Sequence, residues 1–440
     1  MDSTLGRRDF LKISAGALAG IGTLGVAGCG NEPAARNGKK ALQFTFWGST
    51  TRATRTDKVV QLYQQLYPQT TIGTQFTDFN SYWPKLATQI SGGSAPDLIQ
   101  MDMRFIDQYQ KKALLLDLSR FIPQPISLPD FNQVLLKGSE AEGVVYGIPF
   151  GGNFLGILYD KNLLQKAGVE MPEQARDWTW DGFAEYTLHI SKALGPGVYG
   201  TEDASANIWA IETFIRQRGK ELYTSEGQRA FNRQDAFDWF AYWDKLRKSG
   251  ACATPAVESE SSSTIPALST LAQRKAAINF SPSNLIQATQ AATPHNVGLF
   301  LCPSTAGLRD NGTYLKASML MSASATTQYP DEVAKFITFL FTNNGAIKAL
   351  GIERGIPGSA RAQALLKPSL KLSDTIQLNL VHLITATSRP KLVLDPPGAG
   401  EVSDLLTMIA QGLSFGKLTA AEAADTFVAQ TDQALERVGV

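Results

Sequence analysis

The chain has 440 residues, 43% of them hydrophobic and 18% charged, which is the composition of a globular protein large enough for more than one core. Its 41 lysine and arginine residues against 40 acidic residues give a formal net charge of +1. Because the sequence also has no basic tract and no acidic tail, composition argues against nucleic acid as a partner.

The first 28 residues are predicted to be an export signal. Arg7 and Arg8 precede an uncharged stretch, residues 13–28, that is too short and too rich in glycine to span a bilayer. The segment "GRRDFLK" resembles the twin-arginine export signal, with Gly6 where serine or threonine is usual. Residues 1–28 are therefore interpreted as a twin-arginine-type lipoprotein signal peptide.

A lone cysteine closes this signal. The segment "VAGC" resembles a lipobox, with Val26 in place of the usual leucine, and the thiol of Cys29 would carry a diacylglyceryl group. Two or more acyl chains anchor a protein stably, whereas one does not. The alternative is a plain secretory signal with a cysteine present by chance. We expect residues 29–40, which are polar, to be a tether that holds an extracytoplasmic protein to the cell membrane.

The next segments alternate between two hydrophobic periods. In "ALQFTFW", alternate residues Leu42, Phe44 and Phe46 share one face, which predicts a strand. Strand and helix continue to alternate after it, which favours α/β layers around a largely parallel sheet. The predicted strands are 41–47, 70–76 and 96–102, and the predicted helices are 57–68, 81–90 and 104–115.

Beyond residue 150 the chain becomes mainly helical. Trp239 and Trp243 stand four residues apart on an apolar helix, so we expect them in a core. Cys252 and Cys302 could form a disulfide outside the cytoplasm, or remain buried thiols. Strands are predicted at 145–150, 276–281 and 297–304, and helices at 179–194, 206–219, 233–250, 330–351, 401–414 and 420–437.

Local signatures of catalysis are absent from the sequence. His189, His295 and His382 are scattered, and none lies at metal-ligand spacing. The sequence contains no nucleophile elbow and no phosphate-binding loop. A glycosidase needs only two carboxylates that are close in space, which a sequence leaves open. We therefore expect a protein that is not an enzyme and that has no cofactor and no metal.

The segment "VYGIPFGGNFLGILYDKNLLQKAG", followed by "TWDGF", resembles the extracellular carbohydrate-binding proteins that serve ABC importers. Asp160 stands where these proteins usually have asparagine. The later segments "RKAAINFSPSN", "GLFLCPS" and "ERGIPGS" follow in the order typical of the family, so the resemblance extends over residues 41–360.

The resemblance implies an α/β, two-lobed, periplasmic-binding-protein-like fold with hinge crossings and a ligand cleft. It places lobe 1 at residues 41–150 and 283–326, and lobe 2 at residues 155–280 and 327–440. It also implies a monomer that captures a sugar or oligosaccharide by lobe closure and delivers it to the permease subunits of an ABC importer. The alternatives are a protein that binds a polyol phosphate, such as a glycerol phosphate, and an enzyme that acts on surface glycans.

Four candidate site residues follow predicted strands, where open α/β sheets bind ligands. Trp47 and Ser49 follow the first strand, Asp102 the third, and Asn153 the segment "GIPF". Trp47 could stack on a sugar ring or cap the sheet. Asp102 matches a sugar-binding carboxylate of several family members, and its alternative role is to cap the helix that follows.

The other candidates are spread over both predicted lobes. Trp209 stands where relatives supply aromatic side chains, although a core position is the alternative. Lys316 and Arg354 could meet an anionic sugar or phosphate, or be exposed surface charges. Relatives often have an aromatic residue near "SPSN", where this chain has Ser283 and Asn284. The remaining candidates are Asn80, Ser283 and Asn284.

Overall fold

The computed structural model describes residues 39–128, 130–137, 139–141, 143–172, 178–262, 265–305, 312–389, 393 and 395–438. The predicted signal peptide, Cys29 and most of the tether lie outside the described residues. From Lys39 onward the chain forms one folded unit. Within the described residues, no helix is both long enough and apolar enough to cross a membrane.

Most of the strands have only two to six residues, and the two longest, the first two in the chain, have eight each. They are β1 (Lys40–Trp47), β2 (Thr70–Thr77), β3 (Leu98–Met101), β4 (Glu140–Ala141), β5 (Val144–Val145), β6 (Ile148–Pro149), β7 (Gly152–Asn153), β8 (Leu155–Asp160), β9 (Ile278–Pro282), β10 (Val297–Leu301), β11 (Lys316–Ala317) and β12 (Leu320–Ala323).

Helices cover both sheets. They are α1 (Thr50–Leu66), α2 (Phe79–Ser91), α3 (Met103–Lys111), α4 (Gln133–Lys137), α5 (Lys161–Lys166), α6 (Trp180–Leu194), α7 (Ile208–Arg216), α8 (Arg233–Ser249), α9 (Pro255–Ser259), α10 (Ile286–Ala292), α11 (Pro330–Thr342), α12 (Asn344–Leu350), α13 (Ala360–Leu366), α14 (Leu372–Thr387), α15 (Ala399–Ser414) and α16 (Ala420–Arg437). The single helix predicted at 330–351 is two helices, because the side chain of Asn343 caps α12.

The first lobe is built on a five-stranded sheet of order β2-β1-β3-β12-β6. β1 runs parallel to both β2 and β3, as the alternation of strand and helix predicted. β12 returns antiparallel between β3 and β6. Phe44 and Phe46 of β1 are almost completely buried in the core of this lobe.

The second lobe is built on a three-stranded antiparallel sheet of order β10-β8-β9. Adjacent residues of β8 face opposite sides of the sheet, so Ile157 and Leu158 belong to two different cores. The core on the side of Ile157 contains Trp239 and Trp243, both fully buried as predicted. Cys252 and Cys302 are buried, unpaired thiols.

The structure differs from the predicted lobe boundaries in two places. Residues 286–301, assigned to lobe 1, lie with lobe 2, because β10 pairs with β8 along its whole length. Residues 330–346, assigned to lobe 2, lie with lobe 1, where Phe336 contacts Phe44 at a ring-centroid distance of 6.3 Å. Both segments are apolar, and their pattern alone does not say which core they enter.

Short strands join the two lobes. β7 pairs antiparallel with β11, which sets Asn153 opposite Lys316. The backbone of Gly152 also pairs with Ile356 on a third crossing. A Cβ added to Gly151 would lie 2.4 Å from the carbonyl oxygen of Ile356, so this close approach of two backbones requires glycine.

Gly151→Ala should therefore destabilise the protein, since a backbone atom cannot move aside as a flexible side chain can. We expect a loss of about 1–3 kcal/mol in the free energy of unfolding, the usual range for overpacking. Gly182→Ala in α6 is the control, because alanine is favoured there by about 0.5–1 kcal/mol and meets only the hydroxyl of Thr179. Urea denaturation of both variants tests this, and equal stabilities would contradict the crossing geometry.

Candidate functional site

Asp102 lies at the carboxyl end of β3 and begins α3. Its Oδ1 accepts hydrogen bonds from the backbone N–H and the Nε of Arg104, both at 3.0 Å, and its Oδ2 accepts one from Nη2 at 3.3 Å. Burial alone would raise the pKa of Asp102, but the charges of Arg104 and Lys316 outweigh it and lower the pKa to about 2. Asp102 is thus both a helix cap and a buried, ionised carboxylate.

A pocket lies beside the crossing strands. Asn153 of β7 and Lys316 of β11 line it from the crossings, and Trp209 of α7 lines it from the second lobe. Its internal volume is only about 10 Å³, which is room for about one water molecule, so the lobes must part to admit a larger solute. The remaining lining residues are Phe154, Leu155, Thr213, Thr313 and Tyr314.

The indole of Trp209 is one of the aromatic surfaces of this pocket. The Nζ of Lys316 lies 4.6 Å from its ring centroid, within the range of a cation–π interaction. The indole N–H is buried and has no hydrogen-bond partner among the described residues. Trp209 is partly buried and also packs against the core of the second lobe, so it lies at the boundary between that core and the pocket.

Arg104, which we did not predict as a candidate, contacts a residue that lines the pocket. It extends from the first lobe, and its guanidinium carbon lies 5.6 Å from the ring centroid of Trp209 in the second lobe. Its ion pair with Asp102 spans only two residues of sequence. The segment "DMR" at the start of a predicted helix could have indicated this contact, since an arginine two residues after a capping aspartate can fold back and pair with its carboxylate.

Trp47 and Ser49 have structural roles. The ring of Trp47, expected to stack on a ligand, packs instead against Phe79, Tyr82 and Trp83, and the residue is 8% exposed. Ser49 caps α1, because its hydroxyl accepts a hydrogen bond from the backbone N–H of Arg52. These contacts fit the alternative role of Trp47, which is to cover the end of the sheet.

Asn284 supports the pocket from behind. Its Oδ1 accepts a 2.7 Å hydrogen bond from Nδ2 of Asn153. Ser283 is fully buried, and its hydroxyl accepts hydrogen bonds from the backbone N–H of Phe154 and from Gln377. Asn80 is exposed in the first turn of α2. These contacts make Ser283 and Asn284 scaffold for β7.

Arg354 is buried away from the residues that line this pocket. Its Nε donates to Oε1 of Gln100 at 3.1 Å, and its Nη2 donates to the hydroxyl of Thr56 at 2.8 Å. Burial, helped by the nearby charge of Arg52, lowers the pKa of Arg354 to about 9. The expectation that Lys316 and Arg354 are exposed surface charges is wrong, because they are 8% and 3% exposed.

The described residues contain no group of three histidine, cysteine or acidic side chains that could hold a metal ion. What the site offers is one aromatic face, amide groups and a set of compensated charges. This arrangement suits the binding of a polar solute.

Comparison with known proteins identifies the family. The model of the bacterial extracellular solute-binding proteins matches residues 47–347. This chain belongs to that family. Its members are binding proteins, not enzymes, and the two-lobed fold described above is theirs.

Solved structures of solute-binding proteins resemble the chain over most of its length. A family 1 protein from Alicyclobacillus acidocaldarius has 28% identity and a TM-score of 0.66, with 90% of this chain and 99% of that chain covered. An oligogalacturonide-binding protein from Yersinia enterocolitica, in complex with digalacturonic acid, has 22% identity and a TM-score of 0.79, with 91% and 99% covered.

Curated relatives are matched over shorter stretches. A mannitol-binding protein of Pseudomonas aeruginosa is 25% identical over 147 residues, which is 33% of each chain. The chain spans 43% of the length of the first curated relatives that it matches. Family and fold are therefore established, whereas the solute is not.

The depressed pKa of Asp102 predicts a pH dependence of stability. An aspartate with a pKa of about 2 when folded and 3.8 when unfolded stabilises the native state above pH 4, and this stabilisation is lost as the pH falls towards 2. Between pH 5 and pH 3 the wild type should lose about 1 kcal/mol more unfolding free energy than Asp102→Asn, which has no carboxyl group to titrate. Urea denaturation at both pH values tests this. Parallel losses would show that Asp102 is not selectively stabilised in its ionised form.

Proposed function

We propose that this protein is a lipid-anchored, extracytoplasmic receptor that captures a sugar, oligosaccharide or related polyol by lobe closure for an ABC importer. The observation that carries the proposal is the meeting of the second lobe and the crossings at one pocket, with the ion pair of Asp102 and Arg104 from the first lobe beside it. Trp209 comes from the second lobe, Asn153 and Lys316 come from the crossings, and Asp102 of the first lobe lies within electrostatic reach of Lys316.

The chemistry of these groups suits a polyhydroxylated solute. A sugar has apolar C–H faces that an indole can cover and hydroxyls that need both donors and acceptors. Trp209 supplies the face and a buried indole N–H without a partner among the described residues. Asn153 and Lys316 supply further donors, and Asp102 supplies acceptor oxygens. Opening of the lobes exposes these groups, and closure around a solute removes them from water.

The relatives agree with this solute class. The Yersinia enterocolitica protein is named for oligogalacturonides, and the Pseudomonas aeruginosa protein is named for mannitol. Both solutes are rich in hydroxyls. Oligogalacturonides are acidic and mannitol is neutral, so the charge of the solute must be inferred from the charged residues of this site.

A polyol phosphate is the second candidate. Two cations, Lys316 and Arg104, lie over the ring of Trp209, and either could contact an anionic group. The ionised Asp102 already accepts three hydrogen bonds from Arg104, however, so the cation best placed for a phosphate is largely compensated. A neutral sugar is therefore the first choice.

A thermal-shift screen over neutral sugars, uronic acids, polyols and polyol phosphates tests the solute class, since binding to the native state raises the melting temperature. For the solute that binds best, Asp102→Ala and Trp209→Ala should each weaken binding by more than tenfold, which corresponds to about 1.4 kcal/mol. Titration calorimetry measures the loss.

Asp117→Ala is the matched control for this measurement. Asp117 also accepts a hydrogen bond from a backbone N–H two residues later and pairs with an arginine, but that arginine, Arg120, is 75% exposed, whereas the arginine paired with Asp102 lies 5.6 Å from the ring of Trp209. It should lose stability, as any capping aspartate does, and keep full affinity. If Asp102→Ala behaves in the same way, Asp102 is a cap only and does not bind solute.

The lipid anchor is a separate part of the proposal and rests on the segment "VAGC". Cys29→Ala removes the thiol that would be acylated, so the variant should leave the membrane fraction and appear as a soluble protein. Membrane fractionation with and without a high-salt wash measures this. Cys252→Ala is the control, because that thiol is buried in the folded unit. A Cys29→Ala variant that stays in the membrane fraction would contradict lipidation at this residue.

A further inference from the structure

The guanidinium of Arg104 is firmly held on the first lobe. It donates to both carboxylate oxygens of Asp102, and its carbon lies 5.0 Å from the ring centroid of Phe79. The side chain of Arg104 is 13% exposed. A planar group with bonds to one carboxylate and a ring beneath it has little freedom to move, so its position in the cleft is well defined.

The same guanidinium contacts the second lobe. Trp209 lies 5.6 Å from it, on a helix whose apolar residues belong to the core of that lobe. Burial acts against the charge of Arg104, but Asp102 and two acidic residues of the C-terminal region, Asp395 and Asp404, outweigh burial and raise its pKa. Arg104 therefore interacts with both sides of the cleft at once.

The two lobes also approach closely next to this arginine. A Cβ added to Gly400, in the first turn of α15, would lie 2.8 Å from the ring of Phe105 on α3. Phe105 directly follows Arg104 in the chain. The contact of Arg104 with Trp209 thus belongs to a continuous seam between α3 and the second lobe, formed by residues 104–105, 209 and 400.

We infer that Arg104 is an internal occupant of the solute site, which covers the ring of Trp209 and holds the two lobes together when no solute is bound. A guanidinium and the C–H face of a sugar ring can each cover an indole face, and the pocket beside Trp209 has an internal volume of only about 10 Å³, which leaves no room for both. A solute that uses this face must displace Arg104 from it. This last step rests on the proposed function, whereas the contact between the lobes does not.

The test uses the ligand-free protein, so that it does not depend on the identity of the solute. Small-angle scattering should show a larger radius of gyration for Arg104→Ala than for the wild type, because the lobes lose a contact that joins them. Trp209→Ala removes the other partner of the same contact and leaves the bonds of Asp102 intact, so it should produce the same increase even if Arg104→Ala is poorly folded. The double variant should expand no further than the single variants, as expected for two residues that act through one contact.

Arg120→Ala is the control. Arg120 also pairs with an aspartate of the first lobe, but its side chain is 75% exposed and forms a surface ion pair. Its removal should leave the radius of gyration unchanged. The inference is overturned if Trp209→Ala has the radius of the wild type, or if the increases of the two single variants add in the double variant.

Discussion

The antiparallel pairing of β7 with β11 is the constraint on which the rest of the site depends. It sets Asn153 opposite Lys316 and joins two crossings into one ribbon between the lobes. A third crossing pairs with the same ribbon through Gly152 and Ile356. This ribbon places the polar side chains of Asn153 and Lys316 side by side in the lining of the pocket.

Charge compensation is the second organising feature of the cleft. Asp102 stays ionised although it is buried, because Arg104 and Lys316 surround it. The same two cations lie over Trp209, which makes this ring the meeting point of the first lobe, the second lobe and the crossings. A neutral, hydroxyl-rich solute can enter such a site without leaving a buried charge unpaired, whereas an anionic solute must compete with Asp102 for its cations.

The outcome for the candidate residues follows from what each residue contacts. Asp102 and Asn153 were predicted from their places after strands; Asn153 lines the pocket, and Asp102 lies close enough to Lys316 for the two charges to interact. Trp47 is the last residue of β1, yet its ring packs into an aromatic cluster on α2. Arg354 lies in a motif shared with the family but contacts Gln100 and Thr56. The position of a residue relative to a strand predicts where its backbone lies, whereas the packing of neighbouring helices decides which groups its side chain contacts.

The sequence by itself determined the elements that depend on local pattern. Alternating and helical hydrophobic periods located β1 to β3 and the tryptophan-rich helix α8, and the order of family motifs identified the two-lobed fold. Only the tertiary structure decided which lobe received β10, α11 and α12, and only it brought Arg104 and Trp209, 105 positions apart in the chain, to within 5.6 Å. The physical reason is that hydrophobic burial is non-directional: an apolar stripe specifies that a segment is buried but not its partner, which is chosen by long-range pairing and close packing.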